Sequence, residues 1–139
     1  MAVEAQLRRA VTARAIQVFT VAETRMLTDL DQAVPVKTGQ LKRSRRSAAR
    51  YGATSASVTI EYPPEARPGA GVVDVATFTD KGTRPHVSVP RRAKALRFTV
   101  GGRVIFARKV HHPGTKGTRW WSDRTTATKW REYLTRAAR

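Results

Sequence analysis

The stretch VIFARKVHHPGTKG, residues 104–117, decides how this chain folds. Its first half has the alternation of a strand, in which successive side chains lie on opposite faces of a sheet. Its second half cannot continue that strand, because Pro113 has no N–H to donate and Gly114 and Gly117 permit positive φ. The stretch is therefore predicted to join a sheet to the last segment, residues 120–139.

The strand predicted over residues 103–110 has a partner directly before it. Residues 95–100 alternate in the same way, and Gly101 and Gly102 tolerate the left-handed dihedrals of a tight primed turn. This pair is the strongest hairpin signal in the chain. Two further segments are predicted to be extended, namely residues 55–62 and 84–90.

Residues 3–34 are predicted to form one long amphipathic helix that ends at Pro35. Its apolar stripe needs a partner, which is either the chain's own sheet or a neighbouring subunit. Thr38 is the predicted N-cap of a short second helix. The final helix lies within residues 120–139, with Ser122 or Asp123 as its cap.

Two segments before the hairpin are harder to assign. Residues 63–69, which include three prolines, are predicted to be an irregular loop. Residues 71–83 fit either a strand through Val73 and Val75 or a helical turn ended by Gly82. The sequence as a whole predicts one α+β domain over residues 1–139, with a long N-terminal helix, a short second helix, a mainly antiparallel sheet of about four strands and a C-terminal helix.

Composition narrows the class of protein. With 139 residues and no cysteine, the chain is long enough for one core and has neither a disulfide framework nor a thiolate metal site. Its first ten residues lack the apolar core of a signal peptide, and no apolar run approaches the roughly 20 residues that span a bilayer. We therefore expect a soluble protein.

The formal net charge of +17 is concentrated in two blocks. Residues 36–50 contain six Lys or Arg, residues 81–119 contain eleven, and neither block contains Asp or Glu. Such blocks commonly face nucleic acid or an acidic protein surface, although a solvated face of a protein from a basic proteome is an alternative.

No catalytic motif is found in the sequence. It has no nucleophile elbow, no phosphate-binding glycine loop and no metal-ligand pattern. His111 and His112, with His86 nearby, are the notable titratable groups, but adjacent strand residues point to opposite faces and do not easily chelate one ion. Trp120 and Trp121 fit core anchors better than a surface for stacking bases. We predict no enzyme activity, no cofactor and no metal.

Three segments occur in an order that resembles a known family. VPVKTGQLKRS at residues 34–44, KGTRPH at 81–86 and VHHPGTK at 110–116 lie between a long N-terminal helix and a C-terminal one. This order resembles the small head-tail joining proteins of long-tailed double-stranded DNA phages, called tail-completion, neck or tail-terminator proteins. The chain departs from that pattern at residues 75–83, which lack the usual aromatic start, and at residues 119–121, where Arg-Trp-Trp replaces Pro-Phe.

The resemblance implies a structural virion protein that acts as a ring subunit at the head-tail junction. The ring, a hexamer or dodecamer, would be assembled in the host cytoplasm and would join the portal complex to the tail tube around the DNA channel. Its partners would be portal-side connector proteins, the tail tube or tail terminator protein, and the genomic DNA in the channel. The candidate partner or channel contacts are Lys37, Thr38, Gly39, Lys42, Arg43, Arg45, Arg46, His111, His112, Pro113, Gly114, Thr115 and Lys116.

A small basic nucleic-acid-binding protein is the alternative function. It would bind duplex DNA tightly near physiological salt and with a steep salt dependence. A strongly cationic channel would hold DNA back during ejection, so for a ring subunit we expect acidic protein neighbours to meet most of the charge.

Overall fold

The computed structural model describes residues 2–52, 55–67 and 71–139. Its longest element is helix α1, Ala2–Ala33, whose last backbone hydrogen bond runs from the Val34 N–H to the Leu30 carbonyl at 2.9 Å. The helix stops there because the residue before Pro35 is disfavoured in the α region. The predicted N-terminal helix is therefore confirmed to within one residue at each end.

Thirteen elements follow α1, and most of them are short. In chain order they are α2 Gln40–Ser44, β1 Arg46–Tyr51, β2 Ala56–Glu61, β3 Glu65–Arg67, β4 Gly71–Val73, α3 Val75–Lys81, β5 Gly82–Thr83, β6 His86–Ser88, β7 Leu96–Val100, β8 Arg103–Ala107, β9 Val110–His112, β10 Thr115–Lys116 and α4 Ala127–Ala138.

The strands pair as antiparallel two-stranded ladders. β1 pairs with β2, β3 with β4, β5 with β10, β6 with β9, and β7 with β8. The α+β class with a long N-terminal and a C-terminal helix is thus confirmed. In the described part of the chain the strands form five such ladders, whereas the sequence suggested one sheet of about four strands.

Both predicted helix caps are wrong. Gly39, at φ +73°, is the N-cap of α2, and the Thr38 hydroxyl accepts only a long hydrogen bond of 3.4 Å from the Gln40 N–H. Helix α4 begins later than expected because Ser122 and Asp123 belong to a preceding turn. Thr126 is its cap and accepts from the Lys129 N–H at 3.2 Å.

The predicted strands and loops also need corrections. The loop expected at 63–69 is wrong in part, since β3 pairs with β4 there, while residues 68–70 lie outside the described residues. The ambiguous segment 71–83 is a strand followed by a helix, which Asp74 caps through the Thr77 N–H at 2.9 Å. The β7–β8 hairpin is confirmed, but the strand predicted over 103–110 breaks after Ala107, and the next strand pairs elsewhere.

The core lies between the second half of α1, α4 and the residues before α4. Trp120, 2% exposed, is one of the two largest fully buried side chains, and Leu30 of α1 is the other. The Trp120 ring packs edge-on against Tyr62 at 5.0 Å, and its indole N–H donates to the Thr79 hydroxyl at 3.1 Å. The prediction that Trp120 anchors the core is confirmed.

A hydrogen bond joins the two long helices, α1 and α4. The Tyr133 hydroxyl of α4 donates to the Asp29 carboxylate of α1 at 2.6 Å. Burial of the phenol, with the hydrogen bond and charge of Asp29, raises the pKa of Tyr133 to about 12.

Among the described residues, no helix combines the length and apolar character needed to cross a membrane.

We predict that Trp120→Ala lowers the free energy of unfolding by about 3–5 kcal/mol, because it leaves a large cavity in a small core. Trp120→Phe should cost less, since it keeps an aromatic ring against Tyr62. Urea denaturation followed by far-UV circular dichroism measures both variants. A loss below about 1 kcal/mol for the alanine variant would contradict the central role given to this side chain.

Candidate functional site

The second and third segments of the family resemblance pair with each other in space. Gly82 and Thr83 form a ladder with Lys116 and Thr115, and the two threonine hydroxyls lie 3.0 Å apart. We call residues 81–86 and 110–117 the paired-loop unit. The unit brings together parts of the sequence about 30 residues apart, which the sequence alone did not predict.

Glycine is required on both sides of the unit by close backbone contact. Gly82 has φ +82°, and a Cβ there would lie 2.2 Å from the Thr115 carbonyl oxygen. Gly114 has φ +87°, and its Cβ would lie 2.4 Å from the Thr83 carbonyl oxygen. Real side chains do not tolerate such distances, so the glycines of the two segments are explained by the pairing itself.

The unit contains three histidines, two of which stack on each other. The rings of His86 and His112 lie 4.9 Å apart at 15°, and His111 is paired with Val87 in the ladder. His112 Nδ1 accepts from the Gly114 N–H at 3.2 Å, while His86 Nδ1 lies 3.0 Å from the Arg84 carbonyl. The described ranges contain no group of three or more His, Asp or Glu side chains that could hold a metal ion.

Asp80 connects the paired-loop unit to the turn that leads into α4. Its side chain is only 3% exposed and accepts hydrogen bonds from the Trp121 N–H at 2.8 Å, the Ser122 N–H at 3.1 Å and the Ser122 hydroxyl. Burial alone would raise the pKa of Asp80, but these hydrogen bonds and the charge of Arg119 outweigh burial and hold it below its usual value.

The basic segment after α1 has an exposed part and an internal part. Lys37, Lys42 and Arg46 are exposed. Arg43 is exposed too, but its guanidinium donates to the Thr38 carbonyl at 3.3 Å and lies close to Gly39. The segment therefore exposes several cations, while the Arg43 side chain stabilises the turn at its start by a hydrogen bond.

The Arg45 side chain forms an ion pair and a hydrogen bond within the molecule. Its guanidinium lies 2.7 Å from the Asp31 carboxylate and also donates to the Leu27 carbonyl at 3.2 Å. Both charged side chains are less than one-third exposed. Among the candidate contact residues, Arg45 thus stabilises the junction between α1 and the basic segment.

The basic segment and Thr118, directly after the paired-loop unit, both lie beside α3. The start of the basic segment, residues 35–41, lines a cavity with Val75 and Thr79 of α3. On the paired-loop side, Thr118 donates to the Thr79 carbonyl from its N–H and its hydroxyl, each at 3.0 Å. In the described residues no hydrogen bond or ion pair joins residues 36–46 directly to 111–116.

Two apolar surfaces are exposed, and the sequence indicated only the first of them. The stripe of α1 is buried in its second half but open in its first half, where Val3, Leu7 and Val11 are 78%, 63% and 61% exposed. The β7–β8 hairpin is the other surface, and Phe106 near its base is 66% exposed. The periodic pattern identified the stripe, but periodicity does not show where the covering element ends.

The total surface is large for a chain of this mass. The protein exposes 10963 Å², whereas a folded monomer of 15.4 kDa is expected to expose about 7,200 Å². The difference is about 3,800 Å².

Comparisons with known proteins find no matching family model, no matching curated protein and no matching solved structure. The resemblance to head-tail joining proteins accordingly depends on the residues quoted above.

We predict that Asp80→Asn lowers the free energy of unfolding by about 2–3 kcal/mol, since hydrogen bonds to a buried charged acceptor are lost or weakened. The matched control is Asp123→Asn, whose partner Arg119 and own side chain are both exposed, so its cost should stay below about 1 kcal/mol. Urea denaturation at pH 7 measures both variants.

The same pair of variants predicts a pH effect. Because the pKa of Asp80 is lowered in the folded state, its stabilisation is present above the unfolded-state pKa of about 3.9 and is lost as pH falls through the folded pKa. The stability difference between the wild type and Asp80→Asn should therefore shrink below about pH 4. A difference that stays constant down to about pH 2 would contradict the assignment.

Arg45 and Lys42 should respond differently to the same substitution. Arg45→Gln is expected to cost about 1–2 kcal/mol of unfolding free energy, because it breaks a partly buried ion pair. Lys42→Gln should change stability by less than about 0.5 kcal/mol. Thermal and urea unfolding of the two variants compares them, and equal losses would show that Arg45 has no special structural role.

Proposed function

We propose that this chain is a non-enzymatic structural virion protein, a ring-forming subunit at the head-tail junction of a long-tailed double-stranded DNA phage. In this role it joins the portal complex to the tail tube around the DNA channel. The observation that carries the proposal is the excess exposed surface of about 3,800 Å², combined with the order of the three resembling segments.

The size of that excess suits a subunit with two neighbours. Obligate interfaces bury about 2,000–5,000 Å² in total, so a subunit with one neighbour on each side loses about 2,000–5,000 Å² of its own surface. The excess lies within this range. Closed rings also require two different complementary patches on each subunit, and this chain has several exposed apolar and charged surfaces that could serve.

The candidate loops suit contacts with neighbouring rings. The paired-loop unit is fixed from within by its ladder and its close glycine contacts, while the side chains of His111, Pro113, Thr115 and Lys116 stay exposed. A rigid backbone with exposed side chains loses little conformational entropy on binding. The proposed partners are portal-side connector proteins on one face and the tail tube or tail terminator protein on the other.

The positive charge supports partners of opposite charge. None of the nine Lys and Arg side chains between residues 84 and 116 forms an ion pair within the described chain. Acidic protein surfaces would use these cations for orientation and specificity. Genomic DNA in the channel remains a weaker, nonspecific partner, because strong binding would oppose its movement.

The same unpaired cations favour the second candidate function, a small nucleic-acid-binding protein. The salt dependence of the affinity for duplex DNA distinguishes the two functions. A nucleic-acid-binding protein with several phosphate contacts should bind a DNA duplex near physiological salt and lose affinity steeply as salt rises. A ring subunit should bind duplex only weakly at that salt concentration.

We expect quantitative mass spectrometry of purified phage particles to find this protein at a fixed ratio to the portal subunit. A fixed ratio is expected because every particle has one head-tail junction. The ratio would also distinguish a hexamer from a dodecamer. A protein that is abundant in the lysate but missing from the particles would contradict the proposal and favour nucleic-acid binding.

Charge reversal in the basic segment tests the contact role. Lys37→Glu combined with Lys42→Glu should reduce the yield of infectious particles at least about tenfold, because both side chains are exposed and would meet an acidic neighbour. The matched control is Lys37→Arg with Lys42→Arg, which keeps the charge. Circular dichroism should show both double variants folded, and a normal yield from the Glu variant would count against this contact.

A further inference from the structure

The β7–β8 hairpin protrudes from the body of the protein. Its register pairs Val100 with Arg103 across a turn of two glycines, both at positive φ. Apart from each other, the two strands have no extensive contact with another helix or strand of the described residues. A two-stranded hairpin is marginally stable by itself, so this element needs a further surface to pack against.

One exposed face of the hairpin carries two large apolar side chains. Val104 and Phe106 lie two residues apart on β8 and therefore share one face, where they are 45% and 66% exposed. Their cross-strand partners on β7 are Thr99 and Arg97, so this face carries one charged side chain. Val100, at the tip, is 56% exposed but pairs with Arg103 and lies on the opposite face. We call Val104 and Phe106 the hairpin patch.

An apolar groove lies elsewhere on the molecule. It runs along the middle of α1 beside the β1–β2 turn and α4, and it encloses about 840 Å³. Among the described residues that line it, Arg14 is the only charged one. Its apolar lining, which we call the α1 groove, includes Val11, Ala15, Val18, Phe19, Ala56 and Leu134.

We infer that the hairpin patch of one subunit packs into the α1 groove of a second copy of this chain. The inference rests on the proposed ring and names the surfaces that close it. Each surface is mainly apolar and carries one Arg, Arg97 beside the hairpin patch and Arg14 in the α1 groove, and the two surfaces are made by different parts of the chain. A contact between two different patches repeats from subunit to subunit, which is the geometry that forms a ring.

Area and chemistry favour a second copy over other occupants. The excess surface of about 3,800 Å² lies within the range that two obligate interfaces would cover on one subunit. A small ligand would need several convergent polar groups, whereas the groove lining is mostly aliphatic. Duplex DNA would be held by cations, and Arg14 is the one cation among the described lining residues of the α1 groove.

Salt should strengthen this contact. Two copies of charge +17 repel each other at long range, and salt screens that repulsion while leaving apolar burial intact. Self-association of the full chain should therefore tighten between about 0.1 M and about 1 M salt, as the Debye length falls from about 10 Å to about 3 Å. Binding to DNA has the opposite dependence, because it releases counterions.

Two substitutions block the two sides separately. Phe106→Glu places a charge on the hairpin patch, and Ala15→Glu places one in the α1 groove. Both side chains are exposed in the free subunit, so folding should be retained and can be checked by circular dichroism. Val72→Glu, at an exposed apolar strand position, and Ala13→Glu, an exposed α1 position outside the groove lining, are the matched controls.

Native mass spectrometry and light scattering measure the outcome with the full chain. The wild type and both controls should self-associate, while Phe106→Glu and Ala15→Glu should each weaken self-association at least about tenfold. A mixture of the two blocked variants should form dimers and nothing larger. Each such dimer keeps one intact pair, the hairpin of the Ala15→Glu chain in the groove of the Phe106→Glu chain.

Three results would overturn the inference. They are a wild type that stays monomeric at every salt concentration, a blocked variant that associates like the wild type, and a mixture that forms no dimer. A monomeric wild type that binds duplex DNA through the hairpin, with affinity falling as salt rises, would identify nucleic acid as the occupant instead. If the protein is found in particles at a fixed ratio while these tests fail, the ring proposal stands and only this contact is wrong.

Discussion

The buried carboxylate of Asp80 is the interaction on which the arrangement of the loops depends. Its oxygens accept from two consecutive backbone N–H groups, of Trp121 and Ser122, and its own carbonyl accepts from the Arg119 N–H at 2.9 Å. These bonds hold the end of α3 against the turn before α4. Trp120 lies inside that turn and fills the core, so one polar contact and one apolar contact position the same segment.

The paired-loop unit follows from this anchor. Once the start of the final turn is fixed beside Asp80, the chain just before it must run along the segment just after α3, which places β10 against β5. The backbones then approach so closely that Gly82 and Gly114 have no room for a Cβ. Glycines that look like flexible loop residues in the sequence are therefore required by contact between two loops.

The sequence predicted elements with strong local signals and missed those set by distant contacts. The periodicity of α1 and the two glycines of the β7–β8 turn were sufficient, because helix and hairpin formation depend on neighbouring residues. The cap of α4 was misplaced because Ser122 is used by Asp80, 42 residues away in the chain. Likewise, Arg45 looked like part of a surface cluster, and only its position beside Asp31 shows that it is internal.

The distribution of charge and apolar surface limits how copies of this protein can meet. Seventeen net positive charges oppose association, so contacts between copies must use the parts of the surface that carry few cations. The α1 groove and the hairpin patch are such parts, each with one Arg, whereas the segments at 36–46 and 84–94 are not. Apolar surfaces would then join like subunits, and the cationic segments would be left to meet partners of opposite charge.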